Sequence, residues 1–242
     1  MTKPRAFNQV IDRCASTNDT VRELGEMSYP HGTWISARVQ EAGRGRLGHS
    51  WESLEGNLFL SILLRPSETK FLSWLPLAVA VGMTRALDLK FPSLGVRIKW
   101  PNDIWIGSRK LAGILCEARA TTGSRGEFFV IAGVGLNCVS APADAISISE
   151  KLGETVTADQ VRADVLAEIL RTTDQLFSSG PEFVKVEYAA KALFKTGTLI
   201  EWSGGNSGAV VGLGSSGELL VSTVAGVQGL FAEDVRATRS RG

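Results

Sequence analysis

Two β-prone stretches, TWISARV at 33–39 and NLFLSILL at 57–64, flank a loop that reads GRGRLG at residues 43–48. The first alternates and is rich in β-branched residues. The second is a nearly continuous apolar run, as expected of a buried strand. Taken literally, the loop is G-x-G-x-x-G, the pattern that in a dinucleotide-binding fold opens a helix and lays a pyrophosphate on its N-terminus. That fold needs a helix after the glycines, and a parallel crossover takes at least roughly 10–12 residues including its helix. Here HSWESLEGN at 49–57 has poor helical periodicity, contains Gly56-Asn57 and runs straight into the next strand. The dinucleotide reading is therefore disfavoured. The loop has another use. Gly43, Gly45 and Gly48 let a ligand approach the main chain. Arg44 and Arg46 supply forked donors suited to carboxylate or phosphate. The plain alternative is a solvated basic loop.

The rest of the chain narrows the options. Its 242 residues are 44% hydrophobic and 21% charged, with 26 basic against 25 acidic residues, so it has no global basic excess of the kind that advertises nucleic acid. Cys14, Cys116 and Cys138 are too few and too scattered for a disulfide framework or a structural zinc site, and suit a reducing compartment. The N-terminus lacks the apolar core of a signal peptide. The longest apolar run, Leu72 to Met83, is interrupted by Pro76 and falls short of the roughly 20 residues a bilayer requires. A cytoplasmic protein without a membrane role is expected.

Periodicity predicts an α+β chain. Ser16 is placed to cap a helix, with Asp19 in the capping-box position. A long apolar helix is expected over Leu72–Phe91 and a short strand over Val96–Trp100. A hairpin is expected from Asp103–Ile106 and Lys110–Glu117, a strand over Glu127–Val139, and helices over Ala158–Phe177 and Pro181–Leu193. After about residue 195 short alternating runs separated by glycine pairs suggest a small β-barrel. The expected division is a mixed-sheet domain over 1–194 and a β-rich domain over 195–242.

A second stretch, RIKWPNDIWIGSRKLAGIL at 97–115, sharpens the picture. Trp100 precedes a proline and is held extended. Pro101, Asn102 and Asp103 make a turn. If the flanking strands pair, Lys99, Asp103 and Lys110 can share one cleft; the alternative is a plain hairpin with a surface Lys–Asp pair. Together AGRGRLGHSW, KWPND, RKLAGIL and GVGLN, in that order, resemble the catalytic domain of biotin–protein ligases, and STND at 16–19 matches the family's early Ser-Thr-Asn element. The motifs span roughly Asn8 to Val139. The β-rich tail is similar to the family's small SH3-like C-terminal domain.

The resemblance implies an enzyme that joins biotin to ATP as biotinyl-5′-AMP and then transfers biotin to a lysine on a biotin carboxyl carrier domain, with Mg2+ as the accompanying ion and no metal ligands assigned. It implies that Ser16, Thr17, Asn18 and Gln40 meet the ureido end of biotin. Gly43, Arg44, Arg46, Lys110 and Gly113 would meet the rest of biotin and its carboxylate. Arg46, His49, Trp51, Asn102, Lys110 and Asn137 would meet the nucleotide, with Asn137 at the adenine. Lys110 and Arg46 would stabilise the transition state. Asp103 would orient or deprotonate the incoming lysine, or assist magnesium. Plainer roles stay open: Ser16 as a helix cap, Trp51 as core, Asn137 as the end of a strand. One departure is visible, His49 where the family commonly has arginine, a shorter side chain without arginine's permanent charge. The early position of STND implies no winged-helix segment ahead of it and so no DNA-binding role. A monomer or weak homodimer is expected. Two other readings remain: a lipoate or octanoate ligase of the same fold, and a non-catalytic biotin sensor.

Overall fold

The computed structural model describes residues 4–121 and 128–238. The main sheet contains β1 (Asn8–Cys14), β2 (Trp34–Gln40), β3 (Leu58–Leu64), β4 (Val96–Lys99), β5 (Asp103–Ile106), β6 (Arg109–Ala120) and β7 (Phe128–Leu136), in the spatial order β1-β2-β3-β7-β6-β5-β4. β1 and β2 run parallel; the other neighbours are antiparallel. A parallel pair needs a crossover, and helix α1 (Thr17–Glu26) supplies it. The expected start of the seventh strand at Glu127 lies outside the described residues.

Side chains alternate along a strand, so each face of the sheet has its own composition. On one face Leu58, Leu60, Ile62 and Leu64 of β3 join Val130, Ala132, Val134 and Leu136 of β7 in the main core. Helices α2 (Leu75–Lys90) and α4 (Ala158–Ser179) cover it, with α3 (Ile148–Leu152) and α5 (Glu182–Lys191) beside them. α2 is buried on almost every side, which is why it reads as a uniformly apolar helix rather than an amphipathic one. With the 3-10 turn before it, Leu72–Lys90 is long and apolar enough to cross a membrane by composition, but most of it is buried inside this core.

The opposite face is only partly covered. There Val21 of α1 packs on Ile35, Leu63, Phe129 and Ile131. Beyond them, the side chains on this face shrink. Ser61 pairs with Gly133, and Gly113 with Gly135. Small residues at adjoining positions leave an open floor.

The tail folds into a second, antiparallel sheet, small and barrel-like. Its strands are β8 (Leu199–Trp202), β9 (Asn206–Leu213), β10 (Leu219–Thr223), β11 (Gly226–Leu230) and β12 (Arg236–Ala237), in the order β11-β10-β9-β8-β12. Its inward residues Ile200, Val210, Leu219, Val221 and Leu230 belong to the same core as α2. Two indoles tie the sheets together: Trp74 Nε1 donates to Ser215 O at 3.1 Å, and Trp100 Nε1 to Gly217 O at 2.9 Å.

Candidate active site

The open floor is the base of a cavity of about 640 Å3, walled by the start of α1, the glycine loop, the β5–β6 hairpin and the segment joining β11 to β12. The glycines of the floor are required by close approach. A Cβ at Gly133 would sit 2.1 Å from Asn18 Oδ1, and one at Gly135 would sit 2.4 Å from Trp51 Cε2. At Gly113 the nearest atoms would be Trp51 Cζ3 at 2.8 Å and Lys110 Cε at 3.2 Å. The indole of Trp51 thus lies flat on the floor, and its Nε1 is buried without a hydrogen-bond partner.

One end of the cavity is polar, and its charged groups, Arg44, Asp19 and Glu117, are paired with one another. Ser16, Thr17 and Asn18 are buried at the start of α1. Gln40 Oε1 accepts from Thr17 N at 2.8 Å and from the Thr17 hydroxyl at 3.1 Å. Behind them Ser61 Oγ lies 2.7 Å from Thr17 Oγ1 and 2.6 Å from Asn18 Oδ1. Asn18 Nδ2 donates to Glu117 Oε2 at 2.8 Å. Ser16 occupies the N-cap position, but its side chain makes no capping bond, so the expected capping box is absent. Asp19 turns instead to Arg22 at 2.9 Å and Arg44 at 2.7 Å. The Ser16 side chain is thereby left to the cavity.

The other end is charged, with its lysines paired to carboxylates. Lys110 Nζ lies 2.7 Å from Asp103 Oδ1, an ion pair without hydrogen-bond alignment, and 5.5 Å from the ring centroid of Trp51. Arg46 donates to Asn102 Oδ1 at 2.9 Å and to Ala232 O at 3.0 Å. Burial lowers the Arg46 guanidinium below its ordinary pKa, against the opposing charges of Asp103, Asp234 and Glu233. Lys99 shares the cavity with Asp103 and Lys110, as expected, and there it is buried and bonds Asp234 at 2.7 Å. The glycine loop is a tight hairpin: Gly45 N donates to His49 O at 2.7 Å and Trp51 N to Gly43 O at 2.8 Å. Only a 3-10 turn, Arg46–Gly48, follows the first glycines, so no helix receives a pyrophosphate. His49 is exposed where the loop lines the cavity.

The cavity gathers twelve of the fourteen predicted site residues: Ser16, Thr17, Asn18, Gln40, Arg44, Arg46, His49, Trp51, Asn102, Asp103, Lys110 and Gly113. Two lie elsewhere. Gly43 is beneath the loop, where a Cβ would meet Trp51 O at 2.6 Å. Asn137, expected at the adenine, is buried at the end of β7, and its amide donates to Ile146 O at 3.3 Å. It anchors the chain after β7 instead of facing the cavity. Arg44 bonds Asp19 and approaches Glu117 to 3.4 Å, at the polar end of the site.

Sequence reasoning missed the far wall, contributed by Ala232, Glu233, Asp234 and Arg236. Glu233 Oε2 accepts from the amides of Phe231 at 2.8 Å and Ala232 at 2.9 Å, which shapes that segment. The acidic pair in LFAEDV, directly after an apolar strand, was the available signal. Ser61, the one polar residue in LFLSILL, was a second. Among the described residues, no group of three or more His, Cys, Asp or Glu is arranged to hold a metal ion.

Residues 10–137 match the model of the Biotin/lipoate A/B protein ligase family. The chain belongs to that family. Among its relatives in the ligase family, the bifunctional ligase/repressor BirA of Bacillus subtilis is 31% identical over 243 residues, covering 93% of this chain and 72% of that protein. The biotin–[acetyl-CoA-carboxylase] ligase of Paracoccus denitrificans is 28% identical over 245 residues, 93% of this chain and 98% of that one. The ligase fold is similar to that of the biotin protein ligase from Aquifex aeolicus in complex with biotin and ATP, with a TM-score of 0.83 and 27% identity over 96% of this chain and 99% of that one.

Proposed function

We propose that the protein joins biotin to ATP to form biotinyl-5′-AMP and passes the biotinyl group to a lysine of a biotin carboxyl carrier domain. The observation that carries this reading is the polarity of the cavity. A cluster of uncharged polar side chains, the buried Ser16 and Thr17 with the half-buried Gln40, lies at one end, and Lys110 and Arg46 at the other. Lys110 and Leu115, which borders the polar cluster through Asn18, are five positions apart on β6, so roughly 16 Å of strand separates the two ends. A ureido ring needs fixed donors and acceptors, and a carboxylate beside a phosphate needs cations. The dithiolane of lipoate has no use for the first.

The chemistry follows from charge. A biotin carboxylate oxygen forms a bond to the α-phosphorus of ATP, and the bond from that phosphorus to the β-phosphate oxygen breaks, releasing pyrophosphate. Two anions approach and negative charge grows on the phosphoryl oxygens. Preorganised cations are the main remedy in a partly dehydrated site. Lys110 and Arg46 are held there before substrate arrives, by Asp103 and by Asn102 with Ala232 O. Trp51 offers an apolar face for the adenylate. In the second step the carrier lysine's amine attacks the biotinyl carbonyl carbon and AMP leaves with its phosphate. Asp103 accepts or orients the amine proton once Lys110 turns to the phosphate. Magnesium neutralises polyphosphate charge when bound. The scattered carboxylates of the site suit an ion that arrives held by ATP rather than one caged by protein.

ATP–pyrophosphate exchange with biotin, with lipoate or with neither tests the reading. Biotin-dependent exchange is expected. Exchange driven by lipoate would move the protein to the lipoate branch of its family, and tight biotin binding without exchange would make it a sensor.

A further inference from the structure

The two arginines of the glycine loop go to opposite ends of the cavity. Arg46 reaches Asn102 and Ala232 O at the charged end. Arg44 turns the other way, and its Nη2 lies 2.7 Å from Asp19 Oδ1 and 3.4 Å from Glu117 Oε2. The family resemblance implies that Arg44 meets the carboxylate of biotin. Distance speaks against that role. Glu117 stands seven positions beyond Lys110 on β6, so roughly 23 Å of strand lies between the carboxylate that holds Arg44 and the lysine of the charged end.

The two carboxylates are themselves held. Arg22 lies 2.9 Å from Asp19, and Arg119 lies 2.9 Å from Glu117. Arg22, Asp19, Arg44, Glu117 and Arg119 thus form an unbroken alternation of charge with the loop arginine at its centre. The outer arginines share an element with the carboxylates they brace, α1 for Asp19 and β6 for Glu117. Of the three arginines, Arg44 alone comes from the loop. Glu117 has a further tie inward, since its Oε2 also accepts from Asn18 Nδ2 at 2.8 Å, and Asn18 lies on the floor at Gly133. One carboxylate oxygen therefore joins the wall of the polar end to the loop beside it. The backbone agrees: Ala42 N donates to Ala15 O at 2.8 Å, seating the first leg of the loop where β1 passes into α1. Ion pairs this exposed add little to global stability. Their effect falls on the loop, where a small free energy is enough to set a rate.

We propose that Asp19 and Glu117 are positioning residues that clasp Arg44, so that this arginine fastens the loop over the polar end and slows escape of the ligand's head group, instead of serving as a cation for the ligand's carboxylate. The proposal rests on the reading of the site as a biotin site.

Release rates test it, measured by stopped-flow displacement for biotin and for its alcohol analogue, in which CH2OH replaces the carboxylate. Asp19→Asn, Glu117→Gln and Arg44→Met are each expected to speed release of both ligands by the same factor, about fivefold. Glu117→Gln should add little in the Arg44→Met background, because the pair is already broken. The alcohol carries no charge of its own, so added salt should speed its release from wild type and hardly change it for Arg44→Met. A merely misshapen pocket would show neither the coupling nor the loss of salt dependence. Two results would overturn the proposal. One is an Arg44→Met variant that releases biotin faster but the alcohol at the wild-type rate. The other is a Glu117→Gln variant that holds biotin more tightly, as an arginine freed for the ligand would. If Glu117→Gln does not fold, Asp19→Asn carries the same comparison, because its carboxylate pairs with Arg22 and Arg44 and leaves the Asn18–Glu117 bond intact. Wild-type protein that binds no biotin would sink the functional reading itself, whereas biotin binding with unchanged release from Arg44→Met sinks only this inference.

Discussion

Lys110 illustrates how much one side chain depends on its neighbours. Its ammonium is held between the carboxylate of Asp103 and the face of Trp51, above a glycine at 113 whose missing Cβ leaves room for the stem. The pair is only partly shielded from water, so it contributes little to stability. In the proposed reaction its value lies in placing a cation where phosphoryl charge develops. Lys110→Gln is therefore expected to lower kcat/KM for biotin-dependent exchange by about 100-fold or more, while the melting midpoint moves by no more than about 2 °C. Near-normal exchange in this variant would remove Lys110 from the proposed chemistry. Most such residues were legible because they sit in short motifs whose types already state their chemistry: forked arginines between glycines, an Asn-Asp turn, a lysine opening a strand. Ser61 and Asn137 were not. A lone serine in an apolar strand and an asparagine at a strand end look the same whether they face a ligand or the protein. Only the packed structure tells them apart.

At the scale of elements, legibility follows burial. β3 and α2 declare themselves by continuous apolar runs, and the β5–β6 hairpin by its turn. β1 was missed because Asn8–Cys14 is an edge strand, half exposed on both faces, with no alternation to read. The segment from Phe231 to Asp234 was missed for a different reason: its role comes from contacts more than a hundred residues away, which no local pattern encodes. That segment is a strap. Asp234 bonds Lys99 beside the cavity, and Ala232 O receives Arg46. Burial alone raises the Asp234 carboxyl, but the hydrogen bond and charge of Lys99, with Arg236 adding to them, outweigh it and hold the group below the usual carboxylate range. A depressed folded-state pKa means that the stabilising effect is complete above the unfolded value, near pH 4, and is lost as pH falls through the folded value. Asp234→Asn should therefore lower the melting midpoint by about 2 °C at pH 7, and the gap between variant and wild type should close progressively below about pH 4. A gap that persists undiminished at pH 2 would assign the effect to shape rather than charge.

For the whole molecule, the question is whether the tail is an appendage. The change of texture near residue 195 suggests a boundary, and the second sheet does have its own strand order. Its core, however, is continuous with the body. Ile200, Trp202, Val210, Leu219, Val221, Leu230 and Val235 pack into the same cluster as α2 and the main sheet. The indoles of Trp74 and Trp100 donate across the junction to backbone carbonyls of the tail. Removing it would expose a broad apolar face and leave both indole N–H groups without partners, each costing on the order of 1–3 kcal/mol if it stays buried. It would also take away the cavity wall formed by Ala232, Glu233, Asp234 and Arg236. The two sheets therefore share one core and enclose one cavity, and they are expected to unfold as one unit. A chain ending at residue 194 is expected to lose both biotin-dependent exchange and a sharp thermal transition, instead of yielding an active core. The check is calorimetry on the full chain beside the shortened one. A single transition in the full chain with none in the shortened chain fits the argument. Two separate transitions, or a shortened chain that melts sharply and still catalyses exchange, would mean that the tail folds apart from the site it helps to enclose.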